Sequence, residues 1–499
     1  MAQNKQLLWG DLHNHCGITY GFGDLKYALA RAKAHLDFVA ITGHAMWPDM
    51  YERTPDTAFI VDFHREGFKK LLDHWEEVRD TIAQANCDEL VTFQAYEMHS
   101  STYGDHHIVS PDDTLPLIYR SSPAELVRDC GCRAIVIPHH IGYTPGYRGI
   151  DWNHFDPAIS PVVEVCSKHG CAMSDSSAYP YYHDMGPKDP RNTIYEGLKR
   201  KLLFGFVGST DHHAGYPGSY GDGKLAVWAD AKNRESIWQA IQNRHVYAVT
   251  GDRILCDFSV DGHPMGSCFT GGSRRKIELQ VTGGYWMDKI VVFKNLKPIK
   301  VISGDLLPAI EGPQRYKLRI EMGWSNSAQL YQWLGSVKVE GGRLLGVEPC
   351  FRGKSVLAPK ADVTHEDPAE INNIDNRLLS VDERQASWQC FTLKNLSPQH
   401  ATTCAVIVEL EGNPESRLTI DVNGHLHTKT VAELLEYGYS EHMKPFHSHA
   451  YKVHTLVPQW AYTVRDAFED TRESDCDVYH MEVSQKNNQH AYVSPVFVK

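Results

Sequence analysis

The first half of the chain alternates short apolar runs with stretches of helical periodicity. Apolar side chains recur at helical spacing over residues 25–36, and residues 37–42 then form a strand-like apolar run. The same succession recurs over 68–95, and a capping box at 122–125, with proline at the first helical position, begins a third helix. This alternation predicts an α/β fold with a parallel sheet or barrel.

The pattern changes near Arg253. Beyond it, short runs such as 277–281 and 418–422 alternate apolar and polar residues with period two, as half-buried strands do. Such runs, the last of them followed by an Asn423-Gly424 turn, predict a mainly antiparallel β structure of the sandwich type. The sequence therefore predicts two domains, 1–253 and 254–499.

Histidines and acidic residues follow the predicted strands of the first half. The motif DLHNH at residues 11–15 comes directly after the apolar run 7–9, and strand alternation points both of its imidazoles to the same side. Similar residues follow other apolar runs: His44, Glu97, His106, His107, His139, His140, Asp211, His212 and His213. Functional groups of α/β folds collect beyond the carboxyl ends of the strands, so we expect a shared metal site there.

Composition and charge narrow the classes of function that the chain could have. The 499 residues carry a formal net charge of −12, which argues against a general nucleic-acid or membrane-surface binder. The 12 cysteines are scattered and form no zinc-ribbon spacing. The polar first residues and the absence of 18 unbroken apolar residues lead us to expect a cytoplasmic protein. We expect a small anionic substrate, and the sequence leaves the oligomeric state open.

The ordered motifs resemble those of the polymerase-and-histidinol-phosphatase (PHP) superfamily. They are DLHNH at 11–15, LDFVAITGH at 36–44, the strand-end Glu97 and GSTDHH at 208–213. The WGDLH opening, the RHVYA run at 244–248 and the β-rich second half are similar to a PHP-like branch of metal-dependent phosphoesterases. The resemblance implies a distorted (β/α)7 barrel followed by the β-rich domain.

The resemblance also implies a set of metal ligands. They are His13, His15, His44, Glu97, His106, His139, Asp211 and His213. Glu97 would bridge two ions, and His107 and His140 are adjacent alternatives to His106 and His139.

The sequence departs from the family pattern at two places. Gly43 stands where an aspartate usually precedes the histidine of the second motif, and the Tyr20-Gly21 region replaces a further ligand. The sequence therefore leaves open whether the site binds two divalent ions or a full set of three. Mixed imidazole and carboxylate ligands suit zinc, manganese or iron.

Such a centre would supply hydroxide at neutral pH, because two cations lower the pKa of a shared water. We expect Asp211, Glu97 and His169 to act in catalysis, with Asp211 accepting a proton. Arg148, Lys168 and His169 follow strand ends and would bind an anionic group, although solvated surface cations are the alternative. The segment 171–190 would be a lid or a plain connection.

Three functions fit these residues. The first is a metal-dependent hydrolase that acts on phosphoesters. The second is hydrolysis of a lactone, ester or amide on the same centre, because metal hydroxide attacks either kind of bond. The third is a metal-binding scaffold without catalysis.

Overall fold

The computed structural model describes residues 5–182, 186–308, 314–324, 327, 329–356, 371–394, 401–445 and 449–499. The helices are α1 (Leu25–His35), α2 (Ala58–Gln84), α3 (Pro123–Asp129), α4 (Ile194–Lys199), α5 (Arg234–Gln242), α6 (Val431–Glu436) and α7 (Gln459–Tyr462). None of the helices in these ranges is long and apolar enough to cross a membrane.

The strands of the first half are β1 (Gln6–Asp11), β2 (Phe38–Ala40), β3 (Gly43–Met46), β4 (Val91–Met98), β5 (His106–Ser110), β6 (Ile135–Pro138), β7 (Val162–Ser167), β8 (Gly170–Cys171), β9 (Gly205–Gly208), β10 (Lys224–Ala229) and β11 (Val246–Val249).

The strands of the second half are β12 (Leu255–Val260), β13 (His263–Pro264), β14 (Cys268–Phe269), β15 (Arg274–Thr282), β16 (Met287–Lys294), β17 (Lys297–Ser303), β18 (Arg315–Gly323), β19 (Tyr331–Glu340), β20 (Arg343–Cys350), β21 (Arg377–Val381), β22 (Gln385–Thr392), β23 (Cys404–Glu411), β24 (Arg417–Val422), β25 (His425–Thr430), β26 (Tyr439–His442), β27 (Ala450–Val453), β28 (Val457–Pro458), β29 (Thr463–Thr471), β30 (Asp477–Gln485) and β31 (His490–Val498).

Local signals account for several helix starts. The Ser122 hydroxyl accepts a hydrogen bond from the Glu125 amide, and Pro123 is the first residue of α3. Asn233 caps α5 in the same way, through the Ser236 amide. These contacts satisfy amides that a helix start otherwise leaves unpaired.

The main sheet is mixed and open. Its order is β17-β16-β30-β31-β11-β10-β1-β2-β4-β5-β6, so it ends in β17 on one side and β6 on the other. Strands β1, β2 and β4 are parallel, as the sequence predicts. Strand β5 is antiparallel to β4, because only residues 99–105 connect the two strands and no helix crosses between them. In the described ranges the sheet does not close into a (β/α)7 barrel.

Two of the antiparallel sheets of the second half share one apolar core. Their orders are β20-β23-β18-β27-β26 and β21-β22-β19-β24-β25. Trp333 and Trp388 from one sheet and Leu318 and Tyr451 from the other are fully buried in the same cluster. This arrangement is that of two sheets packed face to face, as the alternating sequence pattern predicts.

One sheet crosses the predicted domain boundary at 253/254. Strand β31 pairs with β11 through Tyr247 and Val493, and β30 and β16 continue the sheet outward. Strands from both sequence halves therefore share one hydrogen-bonded sheet, and the division into two domains stays a prediction.

Candidate metal centre

Buried Asp11 joins two of the predicted ligand segments. Its carboxylate accepts hydrogen bonds from the His13 amide (3.1 Å), the Thr210 amide (3.2 Å) and the Thr210 hydroxyl (2.5 Å). Burial raises the pKa of Asp11 to about 6, although these hydrogen bonds act to lower it. The Asp211 amide also donates to the His13 carbonyl (2.7 Å), so the loops after β1 and β9 are held together.

Glu97, in β4, is the centre of the site. Its Oε2 lies 3.5 Å from His13 Nε2, 3.3 Å from His15 Nε2 and 3.5 Å from His44 Nε2. Its other oxygen, Oε1, lies 3.0 Å from His139 Nε2. The two carboxylate oxygens thus face different groups of imidazoles, and all five side chains are buried. We call these residues, with His107, Asp211 and His213, the Glu97 cluster.

Asp211 faces the same histidines from the end of β9. Its Oδ1 lies 3.1 Å from His15 Nε2 and 3.4 Å from His13 Nε2. Its Oδ2 lies 2.8 Å from His169 Nε2. His213 completes this side, with its ring 4.3 Å from that of His15.

Three residues around the cluster have left-handed backbone conformations. The φ angles are 50° at Asp211, 53° at His140 and 63° at Arg148. A residue with a side chain adopts this region at a cost of about 1–3 kcal/mol, so it persists only where its surroundings hold it. Such residues concentrate at functional sites.

The ligand atoms fit a divalent metal. Among the described residues, buried His13 Nε2, His107 Nε2 and Glu97 Oε2 have no hydrogen-bond partner. Leaving such atoms unpaired costs about 1–3 kcal/mol each. Ligands about 2.0–2.1 Å from a tetrahedral zinc ion lie about 3.3 Å from each other, close to the 3.1–3.5 Å separations around Glu97 and Asp211. The cluster contains several sets of imidazoles and carboxylates that could hold an ion.

The pKa shifts of Glu97 and of several imidazoles suit metal binding. Burial alone would raise the pKa of Glu97, but His44 and His139 hold it well below its usual range. Burial lowers the pKa values of His15 and His107, which favours neutral imidazoles, whereas Asp211 and Glu164 hold the pKa of His13 well above its usual range against burial. Deprotonated carboxylates and neutral imidazoles are the forms that bind metals.

His107 lies in the cluster and His106 does not. The β4/β5 register pairs Glu97 with His107 and Met98 with His106, so only His107 shares the face of Glu97. The His107 ring is 4.6 Å from that of His13, whereas His106 Nδ1 is 2.9 Å from the Gly104 carbonyl. The structure therefore brings the alternative residue, His107, to the site in place of His106.

For the pair His139 and His140, the residue first predicted, His139, is the one that contacts Glu97. His139 contacts Glu97, as described above, and the His140 ring lies 5.0 Å from that of His169. The structure thus brings His139 into contact with Glu97, and His140 lies with His139, Glu97 and Asp105 in one group that could hold an ion.

Three residues that lie beside the cluster are not among those predicted from the sequence. Glu164 Oε2 lies 2.8 Å from His13 Nδ1, and its only sequence signal is an acidic residue inside the apolar run of β7. His99 Nδ1 lies 2.9 Å from Asp105 Oδ2 and 3.3 Å from Glu97 Oε1. Neither of these last two residues ends a predicted strand. Glu164 and His99 thus contact the ligands His13 and Glu97 directly, and Asp105 orients His99.

The predicted substrate-binding cations are buried, so they are not solvated surface residues. Arg148 is 8% exposed, and its Nε donates to Asp105 Oδ2 (2.5 Å). Lys168 is 2% exposed, with Nζ 2.8 Å from His213 Nδ1 and 3.1 Å from the Val356 carbonyl. Both place positive charge beside the cluster.

The segment proposed as a lid lies partly outside the described residues, at 183–185. In its first part Tyr181 is buried, with its ring 5.4 Å from that of Tyr143. Gly170 forms a bridge with Tyr181. This part of the segment packs beside His140, which contacts Tyr143.

Parts of the chain are similar to a family model and to two chlamydial proteins. A family model described as "Protein of unknown function (DUF3604)" matches residues 219–261. An uncharacterised protein of Chlamydia pneumoniae is 27% identical over 252 residues, which are 45% of this chain and 40% of that protein. An uncharacterised protein of Chlamydia trachomatis is 32% identical over 130 residues, 24% of this chain and 21% of that protein. The matches thus span less than half the length of these relatives.

One solved structure is similar at a low level. It is a two-domain protein of Bacteroides vulgatus that contains a predicted PHP-like metal-dependent phosphoesterase. The match has a TM-score of 0.33 and 14% identity, and covers 58% of this chain and 78% of that one. A likeness of this degree establishes neither a fold nor an activity for this chain.

Proposed function

We propose that this chain is a metal-dependent hydrolase whose substrate is a small phosphoester. The observation that carries the proposal is the position of Glu97, whose two oxygens face His13, His15 and His44 on one side and His139 on the other. A carboxylate so placed is suited to bridge two cations.

The residues that would hold two or three ions of zinc, manganese or iron are His13, His15, His44, Glu97, His107, His139, Asp211 and His213. When bound, such ions lower the pKa of water and polarise a phosphoryl oxygen. His107 replaces His106 in this set because of the β4/β5 register.

The chain's own residues supply orientation and proton transfer. Glu164 contacts Nδ1 of His13 and so directs Nε2 of that ring into the cluster. His169 Nε2 contacts Asp211 Oδ2, which gives a proton a path between these two side chains. Asp211 and His169 are therefore the proposed proton-transfer pair.

Charge beside the cluster favours an anionic substrate. Lys168 is a buried cation beside His213 and draws negative charge toward the cluster, and Arg148, which is paired with Asp105, lies beside His99. A neutral ester gains less from them than a phosphate does. For this reason we place phosphoester hydrolysis ahead of hydrolysis of a lactone, ester or amide.

Metal content and substrate class test the proposal together. We expect the full chain to carry at least two transition-metal ions by elemental analysis, and His13→Ala with His15→Ala to lose most of them. Loaded with zinc or manganese, it should hydrolyse p-nitrophenyl phosphate or bis(p-nitrophenyl) phosphate faster than p-nitrophenyl acetate.

Less than one equivalent of metal in the unaltered protein would contradict the metal centre. A metal-loaded protein that cleaves acetate esters or lactones but no phosphoester would contradict the substrate class alone.

A further inference from the structure

A second group of histidines lies at one edge of the paired sheets of the second half. In β24, Ile420 and Val422 point into the apolar core and are buried. Their partners on edge strand β25 are His427 and His425. The inward-facing positions of this edge strand therefore carry imidazoles where the next strand carries aliphatic side chains.

Both imidazoles contact one carboxylate of the opposite sheet. His425 Nδ1 lies 2.8 Å from Glu441 Oε1, and His427 Nε2 lies 2.7 Å from Glu441 Oε2. The Tyr451 hydroxyl donates to the same Oε2 at 2.7 Å. Glu441 lies on β26, the edge strand of the other sheet, and Tyr451 lies beside it on β27. The group therefore joins the two edges.

We propose that His425, His427 and Glu441, the edge cluster, form a second divalent-metal site that fastens β25 to β26. Two imidazoles and one carboxylate are a ligand set that zinc takes in proteins. Spacing of i and i+2 on a strand puts both rings on one face, and Tyr451 orients the carboxylate as an outer partner does.

The edge cluster is open to solvent. The side chains of His425, His427 and Glu441 are 33%, 38% and 33% exposed, so an ion can reach them without unfolding the sheets. Exposed side chains can also separate by about half an ångström, which an ion between them requires. The cluster shares no residue with the Glu97 cluster, and the proposal does not depend on the hydrolase activity.

Zinc counting tests the site. The full chain is stripped with a chelator, dialysed against zinc and analysed for bound metal. Glu441→Gln and the double change His425→Ala with His427→Ala should each hold about one equivalent less zinc than the unaltered chain. The matched control is His442→Ala, which removes an exposed histidine next to Glu441 and should lose none.

A local readout separates this site from the Glu97 cluster. Zinc should slow hydrogen exchange in residues 425–430 and 439–442 of the unaltered chain and of His442→Ala, but not of Glu441→Gln. His13→Ala with His15→Ala should keep this protection, because its changes lie in the other cluster.

Glu441→Gln is decisive if the double variant fails to fold, since its amide retains the size of the carboxylate. Equal zinc content and equal exchange in the unaltered chain and Glu441→Gln would overturn the proposal. The edge cluster would then be a hydrogen-bonded seal between the sheets.

Discussion

The Glu97 cluster and the edge cluster use the same residue types in opposite surroundings. In the Glu97 cluster, buried atoms such as His13 Nε2 and Glu97 Oε2 have no hydrogen-bond partner within the described chain. In the edge cluster, each imidazole has a ring nitrogen in contact with the Glu441 carboxylate. Buried atoms left unpaired cost free energy that binding of a cation would recover, whereas the half-exposed set is stable by itself.

The backbone shows the same contrast. Asp211 and His140 have positive φ angles, and the Asp211 amide is fixed by the His13 carbonyl. The histidines of the edge cluster lie in a regular antiparallel ladder. Strained backbone held by its surroundings is common at functional sites, whereas His425, His427 and Glu441 have no positive φ angles.

The sharpest test of this contrast is Glu97→Gln. A neutral amide binds cations poorly, so we expect turnover to fall by about 100- to 10,000-fold, with loss of metal. Steady-state rates at saturating zinc or manganese, with elemental analysis, measure both effects. Asp211→Asn should behave similarly, and exposed Glu76→Gln, on α2, is the matched control. Near-normal rates in Glu97→Gln would contradict its bridging role.

Glu164→Gln should have the next largest effect. Glu164 contacts His13 Nδ1, and removing such a partner of a ligand weakens metal affinity by about 10- to 100-fold. Competition with a fluorescent zinc chelator measures this affinity. At saturating metal the rate should largely recover, in contrast with Glu97→Gln. An unchanged affinity would show that the contact does not support the metal.

Lys168→Ala tests the substrate charge. If the substrate is a phosphoester, loss of this buried cation should raise KM by about tenfold, or about 1.4 kcal/mol. The KM for a neutral ester should change less, and inorganic phosphate should inhibit the unaltered enzyme competitively. An unchanged KM in Lys168→Ala, together with no inhibition by millimolar phosphate, would indicate hydrolysis of a carbonyl compound instead.

The smallest effect concerns the edge cluster without metal. Glu441→Gln in chelator-stripped protein should change the free energy of unfolding by less than about 1 kcal/mol, because polar contacts between half-exposed side chains contribute little. Urea unfolding measures this difference. A loss of several kcal/mol would place the edge cluster among the groups that hold the sheets together without an ion.

The sequence anticipates the parts of the site that follow strand ends. His13, His15, His139 and Asp211 come together where the parallel-sheet argument places them. The choice between His106 and His107 depends on pairing with β4, which a single strand does not encode. Glu164, His99 and Asp105 act through contacts between distant segments, and no local pattern distinguishes them from ordinary buried polar residues.

In the fold, too, the local elements follow from the sequence and the long-range pairings do not. The capping signal at Ser122 locates the start of α3, because the hydrogen bond lies within four residues. The open, mixed sheet does not follow from periodicity, since β5 reverses direction and β31 pairs with β11 from the far end of the chain. Non-local pairings are decided by the whole fold rather than by local preference.

The pairing of β31 with β11 has a consequence for synthesis on the ribosome. Ser494, on β31, accepts a hydrogen bond from the Phe206 amide (2.7 Å) in β9, the strand that leads to Asp211. A nascent chain lacks this support until residues 477–498 have emerged, and a fragment truncated at 253 would leave β11 with an unpaired, aggregation-prone edge. The hydrogen bond that supports β9 from β31 therefore forms only after residues 477–498 have been made.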